Sequence, residues 1–332
     1  MSFQPVSITN WPGDRAVLFV HGIGNASALG ISSFPIAEFK AALGPDARRF
    51  AIYTLNYDFI NDWLATKTQF AGTLSIVKNA IAKNFGGDDL ANTIAEYAGD
   101  IIWPVLSADM RLAVRDAFVA QSEQIQIDRA EAALSNGNDP REYQVSIIAH
   151  SLGCFHTYEM LTATANDPHY HLQPFTDHAR WQSVFFMASP VQLIRTIGND
   201  IKLTVPQLDT LGTLSKNALH VPAEISDDGT QTPCARQFVS IAGTMDPVGG
   251  YLLGKQQKWA YMNLGLPKAD AVVDPESLTG VNPTASLKQT LMAAARAEMT
   301  GSVPINDPHS WSQYVVRNAD KLREALLTGL PL

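Results

Sequence analysis

The chain has 332 residues, 46% of them apolar, which is ample for one large α/β domain with insertions or for a core plus a small cap. A formal net charge of −8, with no run of Lys or Arg, argues against nucleic acid or an anionic membrane as an electrostatic partner. Cys154 and Cys234 are too few to staple a chain of this length and read as free thiols. The first residues lack a basic region followed by an apolar core, and no 18-residue apolar run occurs, so the expectation is a cytoplasmic protein without a stable membrane anchor.

In chain order, residues 16–20 (A-V-L-F-V) predict a buried strand that ends in His21-Gly22-Ile23-Gly24-Asn25. A helix is expected over 34–43, closed by Gly44-Pro45, and a strand over 50–55, leading into Asn56-Tyr57-Asp58. More than 80 residues then separate Asp58 from the next strand, where a plain crossover needs about a dozen, so 59–106 reads as an insertion. Its first part carries Trp63, Phe70, Leu74, Val77 and Ile81 at helical spacing, and its last, apolar part is broken by Pro104. Two readings stay open: a helical lid that binds an acyl chain, and extra packing layers on the sheet. Ser107 is a plausible N-cap for a crossover helix with Met110, Val114, Phe118, Gln121 and Ile125 on one face.

Residues 145–148 (V-S-I-I) predict a buried parallel strand, followed by Ala149-His150-Ser151-Leu152-Gly153 and a helix over 154–161. The segment Asp167-Pro168-His169-Tyr170-His171, with Asp177-His178, invites a metal reading, but without a clear third ligand it is a polar loop and no metal is expected. A strand over 183–187 ends in Ala188-Ser189-Pro190, and 191–236, rich in Pro, Thr and Asp, is a second insertion. The strand over 238–242 runs into Gly243-Thr244-Met245-Asp246-Pro247-Val248. A last strand is placed within 270–274 and a helix over 285–299. Asn306-Asp307-Pro308-His309-Ser310-Trp311 opens a terminal helix to about residue 327.

The five residues from Ala149 to Gly153 fit G-x-S-x-G with Ala in the first Gly position. In that motif a strand turns abruptly into a helix and the Ser sits strained at the turn, which demands small residues two before and two after it. Together with the H-G-x-G element at 21–24 and the G-T-x-D-P-V turn, it resembles the serine esterases and lipases of the α/β-hydrolase superfamily. The resemblance implies an α/β-hydrolase fold, a doubly wound, mostly parallel sheet in a single domain with a helical lid or cap. It makes Ser151 the nucleophile, Asp246 the acid and His309, the one histidine after Asp246, the base. The backbone N–H groups of Ile23 and Leu152 would receive the oxyanion. His21 is expected to pack and hydrogen-bond rather than act as a base.

The chemistry implied is hydrolysis of a carboxylic ester, in a small molecule or a lipid, with no cofactor. Thioester or amide hydrolysis would use the same groups, and a hydrolase-fold binding module without catalysis is the alternative of a different class.

Overall fold

The computed structural model describes residues 3–22, 34–57, 108–166, 181–189, 191, 223–225, 231–233, 235–242, 271–273 and 311–328. The strands are β1 (Arg15–Val20), β2 (Phe50–Leu55), β3 (Gln144–His150), β4 (Trp181–Met187), β5 (Ala223–Ile225), β6 (Gln231–Pro233), β7 (Ala235–Ala242) and β8 (Ala271–Val273). The helices are α1 (Ile36–Leu43), α2 (Ala108–Ser135), α3 (Leu152–Asn166), α4 (Trp311–Arg317) and α5 (Ala319–Thr328). Six strands form one sheet in the order β2-β1-β3-β4-β7-β8, every pair parallel, and β5 and β6 form a separate antiparallel pair. The protein is therefore an α/β structure built on a parallel sheet with flanking helices.

A parallel sheet is covered on both faces, so its strands are mostly apolar, and every residue of β1 and of β4 is buried, Arg15, Gln182 and Ser183 included. Side-chain alternation then divides each strand between two cores. Leu18, Val20, Tyr53, Ile147, Ala149 and Phe186 face α2 and α3, where they meet Val114, Phe118 and Phe155. Val17, Phe19, Ile148, Phe185 and Met187 face α1, α4 and α5, where they meet Phe39, Leu43, Trp311 and Leu322. The chain leaves β1 for β2 on one side and later returns to lay β3 on the other. Such a reversal opens a crevice at the carboxyl ends of the two strands, the usual ligand position in open parallel sheets.

Helix α2 buries Val114, Phe118, Gln121 and Ile125, the face its spacing predicts. It also straps the amino-terminal segment to the sheet. Gln121 accepts the Val6 N–H at 2.8 Å and donates to the Val6 carbonyl at 2.9 Å, standing in for a strand partner. Two turns further, the fully buried Asp128 carboxylate accepts from the Ile8 N–H (2.6 Å), Ser7 Oγ (2.8 Å), Gln124 Nε2 (2.7 Å) and the Tyr53 hydroxyl (2.8 Å). Burial alone would raise the Asp128 pKa, but these four bonds favour the charged form and hold it below its ordinary value.

Asp128→Asn puts a donor where the carboxylate accepts from all sides, and is expected to lower stability by about 2–4 kcal/mol at pH 7. Because the folded pKa is depressed, this stabilisation is complete above the unfolded value of about 3.9 and is lost as pH falls through the folded value. Urea denaturation should show the gap between wild type and mutant closing below about pH 4; a gap constant down to pH 2 would refute the charged network.

At the other end of the chain, Arg15 of β1 donates to the Leu326 carbonyl at 2.6 Å and the Leu327 carbonyl at 2.7 Å, satisfying the last turn of α5, and also bonds Gln144 of β3. The terminal helix expected to run unbroken to about 327 is two helices, because at Asn318 the side chain turns back to the Tyr314 carbonyl at 2.8 Å. The expected last strand is present as β8, paired with β7, and the second insertion contains the β5–β6 hairpin, which its composition did not announce. The 59–106 insertion, the helix over 285–299 and the histidine loop at 167–178 lie outside the described residues. Among the described residues no helix is long and apolar enough to cross a membrane.

Candidate active site

β3 ends at His150, Ser151 makes the turn, and Leu152 opens α3. Ser151 has φ of 51°, the left-handed region that a non-glycine residue enters only under local constraint. The constraint is visible on both sides. The Ser151 N–H donates to the Met187 carbonyl of β4 at 3.0 Å, and the Ser151 carbonyl receives the Cys154 N–H at 2.9 Å as the helix begins. The same device recurs one strand over, where Ala188 has φ of 55° and its N–H donates to the Ile241 carbonyl of β7 at 3.0 Å.

Two glycines let the turn and the end of β1 close on each other. A Cβ on Gly153 would lie 2.3 Å from the His21 carbonyl oxygen and 2.6 Å from that of Val20, and a Cβ on Gly22 would lie 2.7 Å from Ser151 Cβ. The His21-Gly22 element and the Ser151 turn, far apart in sequence, are thus in direct contact at the point where the strand order reverses, with Val20 opposite Ala149 in the register. Leu152, as the first residue of α3, contributes one of the four N–H groups that a helix leaves without an intrahelical acceptor.

The histidines around the turn divide by environment. His21 is buried, with its ring stacked on Tyr57 at 4.2 Å between centroids. Its Nδ1 lies 2.6 Å from the Gly22 carbonyl and its Nε2 accepts the Tyr57 N–H at 3.2 Å. Those contacts require a neutral ring protonated at Nδ1, and burial lowers its pKa to about 4. His21 is a packing and hydrogen-bonding residue, as the sequence suggested. His156, one turn into α3, is wholly buried against Tyr57, and burial, with smaller contributions from His21 and Arg111, lowers its pKa to about 3. His150, just before Ser151, lies flat on Trp311 of α4 with centroids 5.4 Å apart and planes 9° apart.

Cys154 is a free, buried thiol whose Sγ donates to the Met187 carbonyl; burial raises its pKa well above the ordinary value, which suits packing rather than nucleophilic chemistry. Among the described residues no group of three or more His, Cys, Asp or Glu side chains could hold a metal ion. Ile23, Asp246 and His309 lie outside the described residues; Ser151 and Leu152 lie within them and adjoin His21 and Gly22. Tyr57 and Trp311 were not expected as neighbours of this turn, because an aromatic residue after a strand or at a helix start carries no periodic signal. No family model, no curated protein and no solved structure matches the chain.

Proposed function

We propose that the chain is a serine hydrolase of the α/β-hydrolase superfamily that cleaves carboxylic esters through an acyl-enzyme. The observation that carries this reading is the Ser151 turn: a serine at φ of 51° between a buried parallel strand and a helix, packed against His21-Gly22 where the strand order reverses. Two further observations support it. β7 ends at Ala242, four residues before Asp246, and Trp311, two residues after His309, stacks on the residue preceding Ser151.

In this reading His309 takes the Ser151 proton as Oγ attacks the ester carbonyl, while Asp246 holds the imidazole tautomer and stabilises the imidazolium. The N–H groups of Ile23 and Leu152 stabilise the oxyanion. Collapse of the tetrahedral intermediate breaks the C–O bond, and His309 returns the proton to the leaving alcohol. Water, activated by the same histidine, then attacks the acyl-enzyme and releases the acid. The substrate is a small-molecule or lipid ester, with the 59–106 insertion acting as a lid that sets acyl-chain preference.

A fluorophosphonate probe tests the reading, because labelling requires an activated serine. The wild-type protein should label and should hydrolyse p-nitrophenyl esters. His309→Ala should lose rapid labelling, and Asp246→Asn should lose about 10⁴ in turnover because an amide no longer holds the working tautomer. A folded wild-type protein that stays unlabelled would make this a binding module instead.

A further inference from the structure

Two buried histidines share one tyrosine ring beside the Ser151 turn. His21 stacks on Tyr57 with centroids 4.2 Å apart and planes 12° apart, and His156 of α3 meets the same ring edge-on at 4.8 Å and 68°. We propose that this trio is an acid-sensitive latch: while both imidazoles are neutral it holds the end of β1 against the Ser151 turn, and when they take up protons it releases that contact. Such a latch operates whatever chemistry Ser151 performs.

Neither ring has a place for a second proton. His21 Nδ1 donates to the Gly22 carbonyl at 2.6 Å and Nε2 accepts the Tyr57 N–H at 3.2 Å, so a proton on Nε2 would face that N–H donor to donor. His156 is wholly buried and its Nε2 has no hydrogen-bond partner, so its charged form would leave a cationic N–H with nothing to accept it. The groups around the pair add to this cost. Arg111 of α2 acts on His156, as does His21, while Glu159 acts on Arg111, and among the described residues no carboxylate acts on either ring. Asn56, Phe34 and Phe155, which also lie against these rings, carry no charge. His150, whose Nδ1 also approaches Gly22, packs on Trp311 and Tyr314 of α4.

The latch adjoins the turn directly. The Tyr57 hydroxyl donates to the His21 carbonyl at 2.8 Å, the carbonyl on which Gly153 closes, and Gly22 lies against Ser151. Parting these elements would bring both rings to water together. Burial holds His21 at about 4 and His156 at about 3, against an ordinary value of about 6.5. The opened state therefore binds more protons than the closed one below about pH 6.5. The preference for the closed state is complete above that pH and is lost as pH falls toward the two lowered values.

Amide hydrogen exchange of the full chain at pH 6.5 and 5.0, corrected for the intrinsic rate, tests the latch. It is read at the Tyr57 N–H, which His21 accepts, and at the Ser151 N–H, which the Met187 carbonyl accepts. An opening that frees two such rings should grow about 250-fold over that interval, and one that frees a single ring about 15-fold. Wild type should show the larger growth. His156→Phe, which keeps a ring against Tyr57 without a titrating nitrogen, should show the smaller. Helix α2 around Asp128 should stay protected at both pH values, because the depressed pKa of that carboxylate keeps it charged there. Should His156→Phe fail to accumulate as folded protein, His156→Gln, neutral at every pH, carries the same test. Equal growth in wild type and the folded variant overturns the latch. So does an opening of α2 in step with the turn, which would make the acid response an unfolding of the whole sheet.

Discussion

Ser151→Ala is expected to give a folded protein whose ester turnover is lower by about 10⁴ to 10⁶ and which takes up no fluorophosphonate, since members of a catalytic triad act as a unit. The variant should fold because two backbone bonds of the turn do not involve the hydroxyl. Its backbone bonds run through the Ser151 N–H and carbonyl, and Ala188 already occupies the same left-handed conformation one strand away. Loss of the oxygen therefore removes the proposed nucleophile and leaves these backbone bonds in place. Circular dichroism and a urea midpoint matching wild type would establish the fold. A folded variant that retained more than a tenth of wild-type turnover would move the nucleophile elsewhere.

Gly153→Ala is expected to have the largest effect on stability, above about 4 kcal/mol, or to prevent accumulation of folded protein. The added methyl would meet the His21 carbonyl oxygen at 2.3 Å, that of Val20 at 2.6 Å and the His21 carbonyl carbon at 3.0 Å. All three are backbone atoms of the β1 end, so no rotamer change relieves the clash; α3 or β1 must shift. Gly137→Ala supplies the comparison. It sits at φ of 68° with nothing within 4 Å of a new Cβ, so it should cost only the left-handed penalty of about 1–2 kcal/mol. Urea unfolding of the two variants side by side measures the difference, and equal losses would refute the close approach of the turn to β1.

The sheet was legible because a parallel strand covered on both faces must be an apolar run: residues 50–55 are β2 as expected, and 16–20 and 183–187 form most of β1 and β4. The Ser151 turn was legible because its demand for small residues is local and leaves a motif. What escaped had no local signature. The β5–β6 pair has three residues in each strand, too few for alternation to register. The break between α4 and α5 turns on one Asn whose side chain competes for a helix carbonyl. Tyr57 and Trp311 pack on His21 and His150, partners that only the folded chain supplies. The left-handed Ala188 was hidden for the opposite reason, since alanine is not a residue that advertises such a conformation.

The contacts of Arg15 set a timetable for synthesis. Its partner Gln144 on β3 lies 129 positions later and its partner carbonyl at Leu327 lies 312 positions later. At about 5–20 residues per second, β1 emerges roughly 6–26 s before its β3 partner and roughly 16–62 s before the last turn of α5. During the first interval five consecutive apolar residues, Ala16 to Val20, wait on the ribosome without the strand that covers their second edge. The segment most exposed to mispairing during translation is thus the one that, once paired, holds His21 and Gly22 against Ser151, and slowing elongation between codons 20 and 144 would lengthen that exposure.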